Sequence, residues 1–247
     1  MCTFTLAWQA LEDAPVAVAA NRDERIDRPA VAPCVRDGDP AVVAPRDQRA
    51  GGTWIGMNDA GLVAGVTNRW GTTGLTGDRS RGLLVEDVLG CRTTTEAVEV
   101  IEASVTEWEY DGFYLAVADE ERAVCLGWNG RLERVSFGPG VHVVVNVGTA
   151  GAFDVPAERS EFGETQIESV ETIETTLAAR AGETADEWLE RARPLLADHE
   201  RGVCVHGNGY GTRSSSLLVT GERPRYWYAS GPPCETDYEP VSLEGHI

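Results

Sequence analysis

The chain has 247 residues, enough for one domain to bury roughly three quarters of the surface that its unfolded form exposes, so it needs no disulfide or metal to hold a core. Forty acidic residues stand against 21 arginines, with no lysine, for a net charge of −19. Such a field excludes nucleic acid and anionic membrane surfaces as partners. Acid is spread along the chain, as at Glu107, Glu109, Asp119, Glu120, Glu121, Glu158, Glu161 and Glu164. The expected reason is adaptation to high salt, which screens the mutual repulsion within a few Å. No apolar run approaches 18 residues, so no membrane span is expected. With no signal peptide ahead of the first strand, the expected location is the cytoplasm.

In chain order, Thr3–Trp8 and Val16–Ala20 read as strands joined by the turn Leu11-Glu12-Asp13-Ala14-Pro15. The charged segment Asn21–Arg28 follows, then a Pro/Gly/Asp-rich stretch to Gly52 that reads as a long functional loop. Thr53–Met57 and Leu62–Thr67 form a second hairpin around Asn58-Asp59-Ala60-Gly61. Ser80–Ala103 is helical with a break near Gly90, because its apolar residues recur at i, i+3, i+4 spacing; Thr95 followed by acid suits the second start. Strands return at Phe113–Ala118, Ala123–Trp128, Arg131–Ser136 and Val141–Asn146, with Asn129-Gly130 a strong hairpin signal. Glu164–Arg180 and Ala185–Ala197 read as helices, and Gly202–Val205, Ser214–Val219 and Arg225–Ala229 as strands. This order is best satisfied by one domain over residues 1–247. Its fold class is α+β, with two antiparallel sheets sharing a core and a helical pair on each outer face.

Six cysteines stand at 2, 34, 91, 125, 204 and 234. None forms a Cys-x-x-Cys pair and no Cys/His group has zinc-ligand spacing, so no metal site is expected. A disulfide framework is not expected either, and Cys125 and Cys204 read as inert core residues.

Cys2 is different. Removal of Met1 is normal ahead of a small residue, and it would leave a thiol and a free α-amine on one residue. Their ordinary pKa values, ~8.5 and ~7.7–8.0, lie close enough for the amine to take the thiol proton and later return one. If the first two strands pair, Asn21-Arg22-Asp23-Glu24 lies beside Cys2. A carboxylate there holds the ammonium, while Arg22 lowers the thiol's pKa or grips an anionic substrate. Glu24 is expected to pair with Arg25 or Arg28. Asn68 and Asn146 each end a strand, where an amide either donates to an oxyanion or simply forms a turn. The glycine-rich turn Gly209–Ser216 lacks a phosphate-loop ending. Trp54, Trp70 and Phe113 are read as core aromatics.

The sequence resembles the transport-and-Golgi-organisation family, also named for its Asn-Arg-Asp-Glu motif. The matches are Met1-Cys2, Asn21-Arg22-Asp23-Glu24, Gly51-Gly52-Thr53-Trp54, Thr67-Asn68, Ser80-Arg81-Gly82, Tyr110–Phe113 and Gly211-Thr212-Arg213-Ser214-Ser215. That family in turn looks like a distant branch of the N-terminal-nucleophile hydrolases, near the bile-salt hydrolase and penicillin V acylase group. The resemblance implies a four-layer αββα sandwich with Cys2 as nucleophile. It implies catalytic roles for Asn21 and Asp23, oxyanion roles for Asn68 and Asn146, and a looser match of Arg213 to a late arginine. The arginine that opens the relatives' motif falls on Ala20, and Arg22 stands two residues on, on the same strand face.

Two activities follow from the resemblance. One is hydrolysis of a linear amide or other acyl bond, without a cofactor, on a small-molecule acyl substrate. The other is non-catalytic handling of haem or lipid, for which the resemblance to eukaryotic relatives linked with haem movement is the ground. The available axial ligands would be His142, His199, His206, His246 and the cysteines, none in a haem motif.

Overall fold

The structure is a computed structural model that describes residues 2–71 and 74–243. In chain order its strands and helices are β1 (Thr3–Trp8), β2 (Val16–Arg25), β3 (Ala30–Arg36), β4 (Val42–Asp47), β5 (Ile55–Asn58), β6 (Val63–Asn68), α1 (Arg81–Leu89) and α2 (Thr94–Glu107). There follow β7 (Phe113–Ala118), β8 (Ala123–Trp128), β9 (Leu132–Ser136), β10 (Gly140–Val145), β11 (Gly148–Thr149), β12 (Ala152–Phe153), α3 (Ser160–Leu177) and α4 (Ala185–Leu196). The chain closes with β13 (Tyr210–Val219), β14 (Arg225–Ala229) and β15 (Glu239–Pro240).

Among the described residues these strands make two sheets. One has the order β12-β11-β10-β1-β2-β13-β14-β15, the other β3-β4-β5-β6-β7-β8-β9. All their pairings are antiparallel. Alternation along β1 and β2 divides the core. Phe4, Leu6, Trp8, Val16, Val18 and Ala20 meet Val43, Ile55, Met57, Val63 and Ala116 of the second sheet. The intervening Ala7, Ala17 and Ala19 face Val170, Ile173, Trp188 and Leu189 of α3 and α4. On the opposite outer face, Leu84, Val88, Ala97 and Ile101 of α1 and α2 cover Ala64, Leu115 and Val117. The result is the expected αββα sandwich. No described helix is long and apolar enough to cross a membrane.

Sequence signals set most helix boundaries. Ser80 accepts the amide of Gly82, Thr93 accepts that of Glu96, and Thr184 with Glu187 forms a reciprocal capping box. Thr93 rather than Thr95 is therefore the second start. The sheets pack closely at Gly65, where a Cβ would lie 2.3 Å from the Phe4 ring.

Three expectations are corrected. The stretch to Gly52 is not a long loop, because β3 and β4 occupy most of it. Its prolines sit where a ladder tolerates them: β3 is an edge strand, and β5 pairs only with Val42 and Val43, short of Pro45. The second strand does not stop at Ala20 but runs on through Asn21–Glu24, because β13 pairs with β2 as far as Arg25. Gly202–Val205 makes no strand among the described elements; only an isolated bridge joins His206 to Gly211.

Candidate active site

Continuation of β2 through the charged tetrapeptide places its side chains alternately. Arg22 follows Ala20 onto the inter-sheet face, while Asn21 and Asp23 follow Ala19 onto the α4 face. Pairing of β1 with β2 ends at Thr3 opposite Asn21, which brings Cys2 level with the last motif residues. Its sulfur accepts the backbone N–H of Asp23 at 3.3 Å and lies 3.4 Å from the carbonyl oxygen of the same residue.

Cys2 sits on a cleft of about 90 Å³ lined also by Arg22, Asp23, Arg28, Trp54, Asn68 and Arg81. Burial, and then the charge of Asp23, push the thiol up to about 11, against a smaller opposing effect of Arg22. Asp23 is raised by burial, opposed by the hydroxyl of Thr212, which donates to its Oδ1 at 2.7 Å. Tyr210 donates to the backbone carbonyl of Asp23 at 3.0 Å. A bulge between Thr212 and Ser214 of β13 sets Thr212 opposite Asp23 and Ser214 opposite Arg22.

The arginines are held by acids. Arg22 donates to Asp47 at 2.9 Å, lies 3.7 Å from Glu24 and stacks 4.1 Å over Trp54. Arg28 donates to the same Asp47 oxygen at 2.6 Å and is 3.6 Å from Glu24, which makes it the partner of Glu24; Arg25 pairs with Asp27. The other Asp47 oxygen accepts the amides of Arg49 and Ala50. Burial alone would raise Asp47, but Arg28 and these amides outweigh it and hold the carboxyl below its usual range.

The far wall is the start of α1. Gly82 accepts the amide of Thr53 at 3.0 Å, and a Cβ on Gly52 would lie 2.2 Å from the Gly82 backbone. Only glycine at 52 lets the Gly51–Trp54 and Ser80–Gly82 segments close on each other. Arg81, whose buried guanidinium is lowered by desolvation, donates to the carbonyl of Gly112 at 2.8 Å. Arg81 and Asn68 also line an adjoining groove of about 660 Å³ with Trp70, Gly112, Arg159 and Tyr210.

The predicted site residues separate into two groups. Cys2, Arg22, Asp23 and Asn68 share the cleft. Among the described residues the Asn68 side-chain amide makes no hydrogen bond, so its N–H groups remain available. The other three do not line it. The Asn21 side-chain N–H groups donate to the carbonyls of Leu196 (2.8 Å) and Val203 (3.0 Å), and Asn21 lines a small adjoining cavity of about 20 Å³ together with Cys2. Asn146 donates to the backbone carbonyl of Asn68 at 2.8 Å and accepts from Gln166, so it props Asn68 instead of facing the cleft. Arg213 is the extra residue of the β13 bulge, outside the lining of the cleft.

Sequence reasoning missed Asp47, Arg28 and Arg81 as site residues. The motif Ser80-Arg81-Gly82 was a signal for the last; Asp47 carried none, because its segment read as a loop. Trp54 and Trp70 pack against the core and also line the cleft and the groove, while Phe113 is fully core. His142 stacks on Phe137 away from the cleft. His246 and Met1 lie outside the described residues.

Two antiparallel sheets sandwiched by helical pairs make the four-layer architecture that the resemblance implied. Solved structures agree on the fold. The penicillin V acylase of Agrobacterium tumefaciens superposes with a TM-score of 0.63 at 15% identity, over 99% of this chain and 87% of that one. A mutant conjugated bile acid hydrolase from Clostridium perfringens gives 0.61 at 11% identity, over 100% and 95%. The Caenorhabditis elegans ortholog of N-acylethanolamine-hydrolyzing acid amidase gives 0.58 at 15%, over 88% and 92%. Within that architecture the chain belongs to the Transport and Golgi organisation 2 family, whose model matches residues 1–229. The Transport and Golgi organization protein 2 homologs of Bos taurus and Homo sapiens are 28% and 27% identical over 229 residues, 82% of this chain and 80% of theirs.

Proposed function

We propose that the protein is an N-terminal-cysteine hydrolase that cleaves a linear amide or other acyl bond through an acyl-Cys2 intermediate after loss of Met1. The observation that carries this reading is the Cys2 sulfur held against the Asp23 backbone on the rim of a cleft that also contains Asn68 and three arginines.

The steps use these groups. Loss of Met1 puts the α-ammonium on Cys2 itself, and a positive charge that close lowers a thiol that burial and the charge of Asp23 hold at about 11. The freed α-amine takes the thiol proton, and sulfur attacks the substrate carbonyl carbon. The carbonyl π-electrons move to oxygen, and the Asn68 N–H groups receive the oxyanion. Collapse breaks the C–N bond as the ammonium returns a proton to the leaving nitrogen. Water, deprotonated by the same amine, then releases the acid from the thioester and restores the thiol. Asp23 keeps the ammonium in place, supported by Thr212. Arg22 and Arg81 favour a substrate that carries an anion near the scissile bond.

Haem or lipid handling has less support, because it gives no specific role to Asp23 and Asn68, which line the cleft with Cys2. The test is intact-mass analysis of purified protein together with a thiol-directed acylating probe. The expected result is a chain beginning at Cys2, labelled on Cys2 alone, with no labelling of Cys2→Ala. Retention of Met1 in nearly all molecules would rule the mechanism out.

A further inference from the structure

On the α4 side of the first sheet, away from the cleft, four thiol and imidazole side chains meet. His199 follows α4, Cys204 and His206 lie in the loop to β13, and Cys234 follows β14. Each offers a nitrogen or sulfur atom, and these four atoms lie within 4.8 Å of one another. The Cys204 sulfur is 3.6 Å from that of Cys234. His206 Nε2 is 3.8 Å from the first and 3.1 Å from the second. Ligands at Zn–S and Zn–N bond lengths on a tetrahedron stand about 3.3–3.8 Å apart, so these separations already approach the edges of one.

Both rings are also oriented as metal ligands are. A ligating histidine usually gives its second ring N–H to a carbonyl or carboxylate, which fixes the tautomer and the ring. His206 turns Nε2 toward the sulfurs and Nδ1 toward the Glu235 carboxylate at 3.9 Å. His199 Nδ1 lies 3.0 Å from the carbonyl oxygen of Cys204, which leaves Nε2 as its ligand atom. The rings contact edge to face, centroids 4.9 Å apart. The expectation of no metal site came from spacing in sequence. Spacing does not register this group, because its fourth member comes from beyond β14, thirty positions after Cys204. Cys204 is buried as expected, but it is not an isolated core thiol.

We propose that His199, Cys204, His206 and Cys234 form a structural zinc site. Two sulfurs and two imidazoles in a tetrahedron are the ligand set that selects zinc, and with four protein ligands the site is closed to substrate. On binding, the two thiols release their protons to solvent and the ion sheds its waters. The ion ties the loop before β13 to the segment after β14. That loop supports the cleft from behind: Val203 accepts from Asn21, and Val205 exchanges hydrogen bonds with Thr212, the residue that holds Asp23. Zinc therefore stabilises the mount of Asp23 without touching the reaction.

The experiment is zinc analysis of full-length protein purified without chelators or an immobilised-metal column, followed by replacement with cobalt(II). The expected result is one zinc per chain. The cobalt form should show thiolate-to-metal charge transfer and the strong visible bands of a tetrahedral site. Cys234→Ser and His206→Ala, both at exposed positions, should lose the ion while keeping a native circular dichroism spectrum. Cys34→Ser should keep it. Glu235→Gln should weaken zinc roughly 10–100-fold, the usual cost of losing a carboxylate behind a ligand. The proposal is overturned if protein incubated with zinc retains none after gel filtration, or if Cys34→Ser loses it as readily as Cys234→Ser. A Cys204–Cys234 disulfide in protein alkylated at lysis would overturn it equally. None of these readouts depends on whether Cys2 turns substrate over.

Discussion

The two ends of the β1–β2 hairpin carry opposite designs. Around its turn, Gln9, Glu12, Asp13, Glu120, Asp186, Glu222 and Arg225 line the larger cavity, about 850 Å³. Its ion pairs join Arg225 to Asp13 and Asp186, whose side chains are 40% and 58% exposed. Charges in that setting are screened and contribute little. At the open end, the cleft of about 90 Å³ holds Arg22 against Asp47 with 8% and 7% exposure. Taking both charges out of water is expensive, and only the shared hydrogen bonds with Arg28 and backbone amides make it tolerable. A chain with net charge −19 thus gathers three arginines around one thiol. Volume marks the solvated end; sequestered, hydrogen-bonded charge marks the end where the proposed chemistry lies.

That contrast breaks most decisively at Cys2. Cys2→Ala, or any residue fused ahead of Cys2 that survives processing, should reduce acyl transfer to background, on the order of a thousandfold or more. Glu222→Gln, at the large cavity, should leave the rate unchanged. Comparable losses from both would show that size had been the better guide. Next in size is Asn68→Ala, expected to lower kcat by about 10²–10³ with KM nearly constant, as for removal of one oxyanion donor. Asn146→Ala should act in the same direction but more weakly, since it works through the Asn68 backbone. An equal or larger effect from Asn146 would reverse their assigned roles. Smaller again is Arg81→Gln. Loss of one charge-assisted hydrogen bond, about 1.5–3 kcal/mol, should raise KM for a carboxylate-bearing amide at least tenfold and leave a neutral analogue unaffected.

How far the sequence disclosed this site depended on what each residue's partner was. Cys2, Arg22 and Asp23 were legible because strand alternation and one hairpin suffice to bring them together. The helical pairs and both principal hairpins followed from apolar period and turn chemistry. Asp47 was not legible: its strand carries prolines that are harmless only because of where its neighbours stop pairing. The separation of Asn68 from Asn146 was equally hidden. Both end strands, and only the tertiary contact shows that one amide faces the cleft while the other braces it. The His/Cys group was invisible to spacing because Cys234, after β14, joins three residues of the distant loop between α4 and β13.

The smallest expected effect concerns stability, and it tests the cost of the cleft directly. Burial raises the Asp23 carboxyl, opposed by Thr212. A carboxyl raised on folding contributes stability that is fully present below its ordinary pKa and is lost as pH rises through the folded value. At neutral pH the ionised Asp23 is therefore a net burden on the folded state. Asp23→Asn keeps an acceptor for the Thr212 hydroxyl and removes that burden. Its Tm at pH 7 should exceed that of the unaltered protein by a few °C at most, while acyl transfer falls. The difference should shrink as pH is lowered toward the ordinary carboxylate range, where Asp23 is protonated in both states. Thermal unfolding across that range checks the sign. A variant that is less stable at pH 7 would mean that the pairing of ionised Asp23 with its partners outweighs the cost of burying it.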